Sequence, residues 1–407
     1  MRILTIAPQP FFQPRGTPFS ELYRARALTE LGHEVDMVTY PIGEDVVMPG
    51  LRILRTPRIP GIRRVRIGPS LAKIPLDALV FLSSFKRLLT HRYELLDCHE
   101  EAGFMGVFLS WLFTVPVLYD MHSSLPEQLS NFQYSGNRVL RGLFDWAERV
   151  TVKGSDAVIV VCPYLKDVVS RIDREKPCFL IENSPLAESG EEVSEEEALH
   201  IRRELGLEGA FVIHYSGTFE AYQGLSLLYE AFRVVAEKLP SARLLMVGGT
   251  AAQVEEAKRE LAGSGLAERA VFTGQRPPAE MPRYLAISDV LVSPRSSGTN
   301  TPLKIYSYLR AGKPIVATRL LTHTQVLDDE SAALTEPSAE AFAEALLALA
   351  QDPDRRRRLA AGARRLSEER YSYAQYLERT REVLDFVSKR LESPGRAREA
   401  ATGRLQR

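Results

Sequence analysis

Residues 294–318, PRSSGTNTPLKIYSYLRAGKPIVAT, decide how the rest of this 407-residue chain is read. Pro294 closes an apolar run, DVLVSP, and Gly298, Thr299 and Asn300 form a loop after it. Thr301 is placed as the N-cap with Pro302 at the first helical position: a hydroxyl accepts a free N–H there, and proline's fixed φ suits the first turn. Leu303, Ile305, Tyr306 and Leu309 support a helix, Gly312 ends it, and Lys313-Pro314 leads into the buried run IVAT. Strand, loop, helix, turn and strand make up a unit of parallel α/β sheet. Arg295 before the loop and Lys304 in the first turn put cations at a helix N-terminus, a setting suited to a diphosphate. An ordinary crossover with Lys304 solvated accounts equally for the same residues.

The same rhythm extends on both sides. RILTIA, EVDMVTY, LRILR, ELLDC, VPVLYD, DAVIVVC and PCFLIE are strand candidates in the first half; AFVIHYSG, ARLLMVG, AVFTG, DVLVSP and KPIVAT are those of the second. Helical patterns lie between them, so the expected class is α/β with two doubly wound parallel sheets. The expected division is 1–185 for the first domain, 186–365 for the second, and 366–391 for a C-terminal helix returning to the first. A mobile tail is expected over 392–407, where apolar periodicity ceases. The acidic stretch from Ala187 to Leu205 reads as a connector running into a solvated helix.

Bulk composition narrows the class further. Hydrophobic residues at 45% and charged residues at 26% describe a folded globular chain. Lysine plus arginine equals aspartate plus glutamate, 52 each, so no nucleic-acid partner is expected. Cys98, Cys162 and Cys178 are too scattered for a disulfide framework or a metal-ligand spacing. The start, MRILTIAP, lacks the apolar region of a signal peptide. The best spanning candidate, Ile74 to Phe85, is short and interrupted by Pro75 and Asp77. Cytoplasm is the expected compartment.

Within the first half, chemistry concentrates at strand ends. Gly16, in PQPFFQPRGTPF after the first strand, lets backbone approach a ligand at the start of a helix expected over about Phe19 to Leu31; Arg15 adds charge. A plain tight turn explains the glycine as well, and the three spaced glycines of a dinucleotide site are absent. His99 follows ELLDC and His122 follows VPVLYDM, both where ligands gather; each has a structural reading beside the functional one. Metal is not expected, because no carboxylate–histidine pair sits at a helical or hairpin ligand spacing.

Taken together, these segments resemble retaining, family-4-type glycosyltransferases (glycosyl transferases group 1) of the GT-B fold. PRGTPFSELYRARALTELGHEVDMVTY is similar to that family's first strand region, glycine loop and GHEV turn, and ELLDCHEEAG with PVLYDMHSSLPE to its paired histidine segments. SDAVIVVCPYLKD, LIENSP, HYSGTFEAYQGLSLLYEAF, SARLLMVGG and the 294–318 stretch follow in the family's order, to about residue 380. The resemblance implies two Rossmann-like domains facing a cleft, with C-terminal helices crossing back to the first. It implies transfer of a sugar from a nucleoside-diphosphate sugar to an acceptor hydroxyl with retention, without metal or other cofactor, in glycan, glycolipid or cell-surface polysaccharide synthesis. Carried over by position, His122 lies near the transferred sugar and is the expected catalytic residue. Gly16 and Arg15 lie by the donor phosphates, and His99 and Glu100 lie on the acceptor side. Gly217, Glu220, Arg276, Arg295, Thr299, Asn300, Thr301, Leu303, Lys304 and Ser307 are the expected donor-binding set. Glu220 reads equally as a solvated loop acid, and Arg276 as a surface arginine.

Four positions depart from the family pattern. Thr299 and Ser307 stand where it carries two glutamates, and Thr218 and Gln223 where it carries an arginine and a lysine. Different donor contacts or loss of catalysis would follow, so a non-catalytic GT-B binding protein and another GT-B sugar-nucleotide enzyme, such as an epimerase, are the alternatives. Between Arg52 and Arg92 ten cations face Asp77 alone, interleaved with apolar residues. That run suits peripheral contact with the inner face of a membrane, or else an ordinary domain face with its apolar residues in the core.

Overall fold

The fold is that of a computed structural model, which describes residues 1–13, 16–62, 65, 72–127, 138–184, 193–263 and 265–392. Arg15, the cations Arg63, Arg64 and Arg66, part of the acidic connector and all but the first residue of the expected tail lie outside them. The chain divides into two compact units, one of Met1–Glu182 with Ala374–Arg407 and one of Asn183–Tyr373. The last helix, Tyr373–Glu392, thus belongs almost wholly to the first unit.

The first unit is built on seven parallel strands: β1 (Arg2–Ala7), β2 (Glu34–Thr39), β3 (Leu51–Arg55), β4 (Leu95–His99), β5 (Val117–Met121), β6 (Ala157–Val160) and β7 (Cys178–Leu180). Their order, β3-β2-β1-β4-β5-β6-β7, reverses direction between β1 and β4. Every residue of β4 and β5 is buried, as expected of strands covered on both faces. Each of the seven overlaps a run picked from the sequence, β4 and β5 ending one residue beyond theirs, at His99 and Met121. The first helix, Gly16–Glu30, starts earlier than its apolar pattern suggests, at a glycine with φ 43°.

Six parallel strands carry the second unit: β8 (Phe211–Gly217), β9 (Ala242–Gly248), β10 (Ala270–Gly274), β11 (Val290–Ser293), β12 (Ile315–Thr318) and β13 (Ala333–Thr335). Their order is β10-β9-β8-β11-β12-β13, with the reversal between β8 and β11. The sequence reading missed β13, an edge strand of three residues with too short an apolar run to stand out. Leu228, Phe232, Leu244, Met246, Val292 and Phe342 form the centre of this unit's core. Helices Ala339–Gln351 and Pro353–Arg370 start on the Ser338 and Asp352 side chains, which accept the N–H of Ala341 and Arg355.

One local expectation is corrected. Helix Leu303–Ala311 has Pro302 as its N-cap, with φ −64° and ψ 134°, and no side chain caps it. That ψ is extended, so proline stands just outside the helix. Thr301 lies one residue further out, its buried Oγ1 without a hydrogen-bond partner.

Candidate active site

In an open parallel sheet, loops on either side of the strand-order reversal part and leave a crevice at the carboxyl ends. Both units hold buried charged groups there, Asp97, Asp120 and Arg24 in the first and the Lys304 ammonium in the second.

In the first unit, β4 and β5 pair in register with His99 opposite Asp120. Alternation then sets Asp97 and His99 on one face of β4, and continues from Asp120 to His122 at the end of β5. His99 Nε2 lies 3.3 Å from Asp97 Oδ2, and its Nδ1 is 3.5 Å from both His122 Nε2 and Asp120 Oδ2. His122 Nε2 is 3.2 Å from Asp120 Oδ1, and all four residues are buried. Helix Gly16–Glu30 adds Glu21 and Arg24, both buried, with Arg24 Nε 3.7 Å from Asp97 Oδ1. Glu100, at φ 50°, accepts a 3.0 Å hydrogen bond from Ser123 Oγ. Glu148 accepts the Leu125 N–H at 2.8 Å and holds the segment following His122.

Charge in this cluster is shared unevenly. Burial by itself lowers the His122 pKa, but the carboxylates of Asp120, Glu100 and Asp97 together raise it above its ordinary value, Asp120 most of all. Burial pushes Asp120 up, yet His122, His99 and Arg24 together hold it well below the usual carboxylate range. Burial raises Glu100 to about 7, against the pull of His122, and burial with neighbouring acids raises Glu21 far above its ordinary value. The cluster therefore holds an ionised carboxylate beside an imidazole biased towards its cation, with a largely neutral acid behind. His99, Asp120 and His122 also bring one ligand atom each within 4.8 Å of one another, so they could hold a divalent cation. The sequence reading overlooked this because the pair Asp120 and His122 is spaced for neither a helix nor a hairpin, only for one strand. His122 and Arg24 set positive charge beside the same carboxylates.

The second unit's site lies between β8 and β11. Lys304 Nζ is buried, has no hydrogen-bond partner and sits 3.8 Å from the centre of the Tyr215 ring. Burial drives its pKa well below that of an ordinary lysine, and Arg295 lowers it further. A Cβ on Gly217, at the end of β8, would lie 3.1 Å from that ammonium, so the glycine keeps the cation close to the backbone. Arg295 donates through Nη1 to Asn300 O and Thr322 Oγ1, each at 2.7 Å, and leaves Nε without a partner. Its guanidinium lies 5.1 Å from the Tyr222 ring centre. Gln325 Nε2 donates to Thr299 O at 2.7 Å, so the 298–300 loop is fastened from helix Leu321–Thr324 and the residue after it. Gln223 Nε2 reaches Thr218 Oγ1 at 3.4 Å, bringing together two of the four departing positions. Glu220 accepts from Gln253 Nε2 at 3.2 Å.

The structure thus brings His99 and His122 together in one unit and Gly217, Arg295 and Lys304 together in the other. Arg276 follows β10 at the sheet edge, two strands from the reversal, and pairs with Glu280 at 4.0 Å. Sequence reasoning did not find Asp97, Asp120, Glu21, Arg24, Tyr215 or Tyr222. Two were detectable: an aspartate inside an otherwise apolar strand, ELLDC or VPVLYD, is itself a sign of a buried polar role.

Two doubly wound sheets in one chain, each with buried charge at its reversal point, describe the GT-B class of enzyme. Comparison with known proteins agrees: "Glycosyl transferases group 1" matches residues 210–352 and "Glycosyl transferase 4-like domain" matches residues 22–179. The chain belongs to these glycosyltransferases and is an enzyme of that class. It is 27% identical over 367 residues to a phosphatidyl-myo-inositol mannosyltransferase of Mycobacterium leprae, covering 89% of this chain and 91% of that one. Among solved structures, sucrose-phosphate synthase from Thermosynechococcus elongatus superposes with a TM-score of 0.77 at 19% identity, covering 95% of this chain and 99% of the other. HepE of Anabaena, in complex with UDP and glucose, gives 0.73 at 18% identity over 95% and 99% of the two chains.

Proposed function

We propose that the enzyme transfers a sugar from a nucleoside-diphosphate sugar to an acceptor hydroxyl, with retention and without a metal, in the synthesis of a glycan or glycolipid. The observation that carries this reading is the buried, unpartnered Lys304 ammonium at the β8–β11 reversal. A desolvated cation is costly unless it meets an anion, and a leaving diphosphate is the anion that glycosyl transfer must stabilise. Arg295, with its free Nε, and the start of helix Leu303–Ala311 add to the same field. Thr299, Asn300, Thr301, Leu303 and Ser307 supply the neutral walls of that donor site.

This also accounts for the four departures. Removing an arginine and a lysine together with two glutamates leaves the net charge of those positions unchanged, and Lys304 with Arg295 provides cations from the neighbouring loop. His122 is proposed to face the transferred sugar with His99 and Glu100 on the acceptor side, and Gly16 to lie near the donor phosphates. Retention rests on the family resemblance. The proposed setting is the cytoplasm or the inner face of the membrane, supported by three cysteines that form no disulfide.

A thermal-shift screen of the whole chain over UDP, GDP, ADP and their sugars tests the donor reading. One nucleoside-diphosphate series should raise the melting point, because a ligand bound only by the native state stabilises it. No shift with any of them, at millimolar ligand, would remove the reading.

A further inference from the structure

Among the described residues, most of the large apolar side chains left exposed lie on three helices of the first unit: Lys73–Thr90, Ala102–Phe113 and Arg138–Gly154. The middle one, AGFMGVFLSWLF, has no charged residue. Its packing is inverted relative to a core-forming helix. Ala102, Gly103, Gly106, Leu109 and Ser110 face inward, while Phe104, Phe108, Trp111 and Leu112 face out. The small residues are required where they are: a Cβ at Gly103 would come within 2.5 Å of the Tyr119 ring, and one at Gly106 within 2.3 Å of Cys98 Sγ. Close seating of the helix therefore accounts for the inner side but not for four large apolar groups on the outer one.

Those groups continue onto both neighbours. Phe108 meets Phe81 at 5.9 Å between ring centres, and Phe104 meets Trp146 at 5.5 Å. The chain has two tryptophans, and Trp111 and Trp146 are both on this face, 61% and 52% exposed. On the first helix Leu82, Lys86 and Leu89 are exposed together at helical spacing, and on the third Arg149 and Lys153 are exposed on the side of Trp146. Asp145 is the one exposed acid among the described residues of the three helices, and Arg149 pairs with it at 2.9 Å. The whole chain is neutral, so this positive apolar face is a local feature.

We infer that this face seats the enzyme on an anionic bilayer, with the aromatic side chains at the headgroup level and the flanking cations against lipid phosphate. An uncharged helix with outward phenylalanine and tryptophan, flanked by lysine and arginine, has the composition of an interfacial element. A second copy of the chain fits less well, since a two-fold contact through this patch would oppose cations to cations. Of the basic run 52–92, the face takes Leu82, Lys86 and Leu89. Arg52 and Arg87 are committed to Asp36, Arg55 to Asp45 and Lys73 to Glu101, while Leu76 and Val80 are in the core. The inference deepens the proposal of a glycosyltransferase working at the membrane face and rests on it only for the purpose of the contact.

The two tryptophans make the test direct. Full-length protein is titrated with vesicles of phosphatidylcholine alone and with about one-third phosphatidylglycerol, and tryptophan emission is followed with and without brominated acyl chains. A blue shift and bromine quenching with the anionic vesicles are expected, weakened by salt. Phe108→Ala with Trp111→Ala should weaken partition at least roughly tenfold, since two aromatic groups leave the lipid. Trp146 still reports in that variant, and its far-UV circular dichroism and nucleotide thermal shift confirm folding. Unshifted, unquenched emission of the wild type at low salt overturns the inference, as does a dimer that buries both tryptophans without lipid. Vesicle binding without any nucleotide response would leave this inference standing and fail the donor reading instead; the reverse pattern would do the opposite.

Discussion

Replacing Lys304 by methionine should move stability and binding in opposite directions. Met fills a similar volume without the charge. In the free enzyme the substitution removes a buried ammonium that has no acceptor, a burden of several kcal/mol, of which the Tyr215 ring at 3.8 Å offsets about 2 kcal/mol. A net gain of about 1–2 kcal/mol remains, which for a unit of this size is a melting point roughly 2–8 °C higher. With nucleoside diphosphate present, the variant lacks a charge-assisted contact of about 1.5–3 kcal/mol, so affinity falls roughly 10- to 150-fold. Calorimetry and a nucleotide titration on the same samples read both quantities. The wild type carries a further mark. The folded pKa of Lys304 is depressed below the ordinary 10.5, so between those two values the unfolded chain holds more protons. Stability therefore rises with pH through that window, and Lys304→Met abolishes this contribution to the slope. A variant that melts lower than wild type without ligand, or binds the nucleotide within about threefold of wild type, would refute the reasoning.

His122→Ala should reduce transfer by roughly a hundredfold or more, read as initial rate at saturating donor. Because Asp120 raises the His122 pKa, a rate that needs the imidazolium falls as pH climbs through that raised value; Asp120→Asn should shift the fall to lower pH. Gly224 has φ 72°, and a Cβ there would lie 2.0 Å from Pro294 O, in the backbone that carries Arg295. Gly224→Ala should destabilise by roughly 2 kcal/mol or more, visible as a lower urea midpoint, and should weaken nucleotide binding as well. Dialysis against EDTA should leave transfer unchanged, with and without added Mg²⁺; a loss restored by Zn²⁺ alone would assign a metal to His99, Asp120 and His122.

Periodicity and turn chemistry were enough to locate most of the architecture. Parallel strands covered on both faces must be apolar along their whole length, so twelve of the thirteen strands stand out as runs. Only β13 escaped, because three edge residues bury too little to need a pattern. The cap of helix Leu303–Ala311 was misplaced by one residue. Threonine before proline satisfies the capping rule in sequence, and only the backbone angles tell that proline itself is the boundary.

The 294–318 stretch marked out a loop and two cations, and nothing in it distinguishes a solvated Lys304 from a buried one. That was decided by the β8–β11 reversal, which lays Tyr215 and Gly217, some ninety residues earlier, against the lysine. The same holds where Arg24 of the first helix meets Asp97 of β4 and where Asp120 of β5 meets His99 of β4, and for the aromatic face of Ala102–Phe113. The composition of that helix reads as core until the glycines on its inner side show which way it faces. Local pattern reports what a residue does to its own element, since helix and strand periods are properties of neighbouring positions. Desolvation, pKa and exposure depend on what distant segments bring to the same place, and those only the tertiary fold determines.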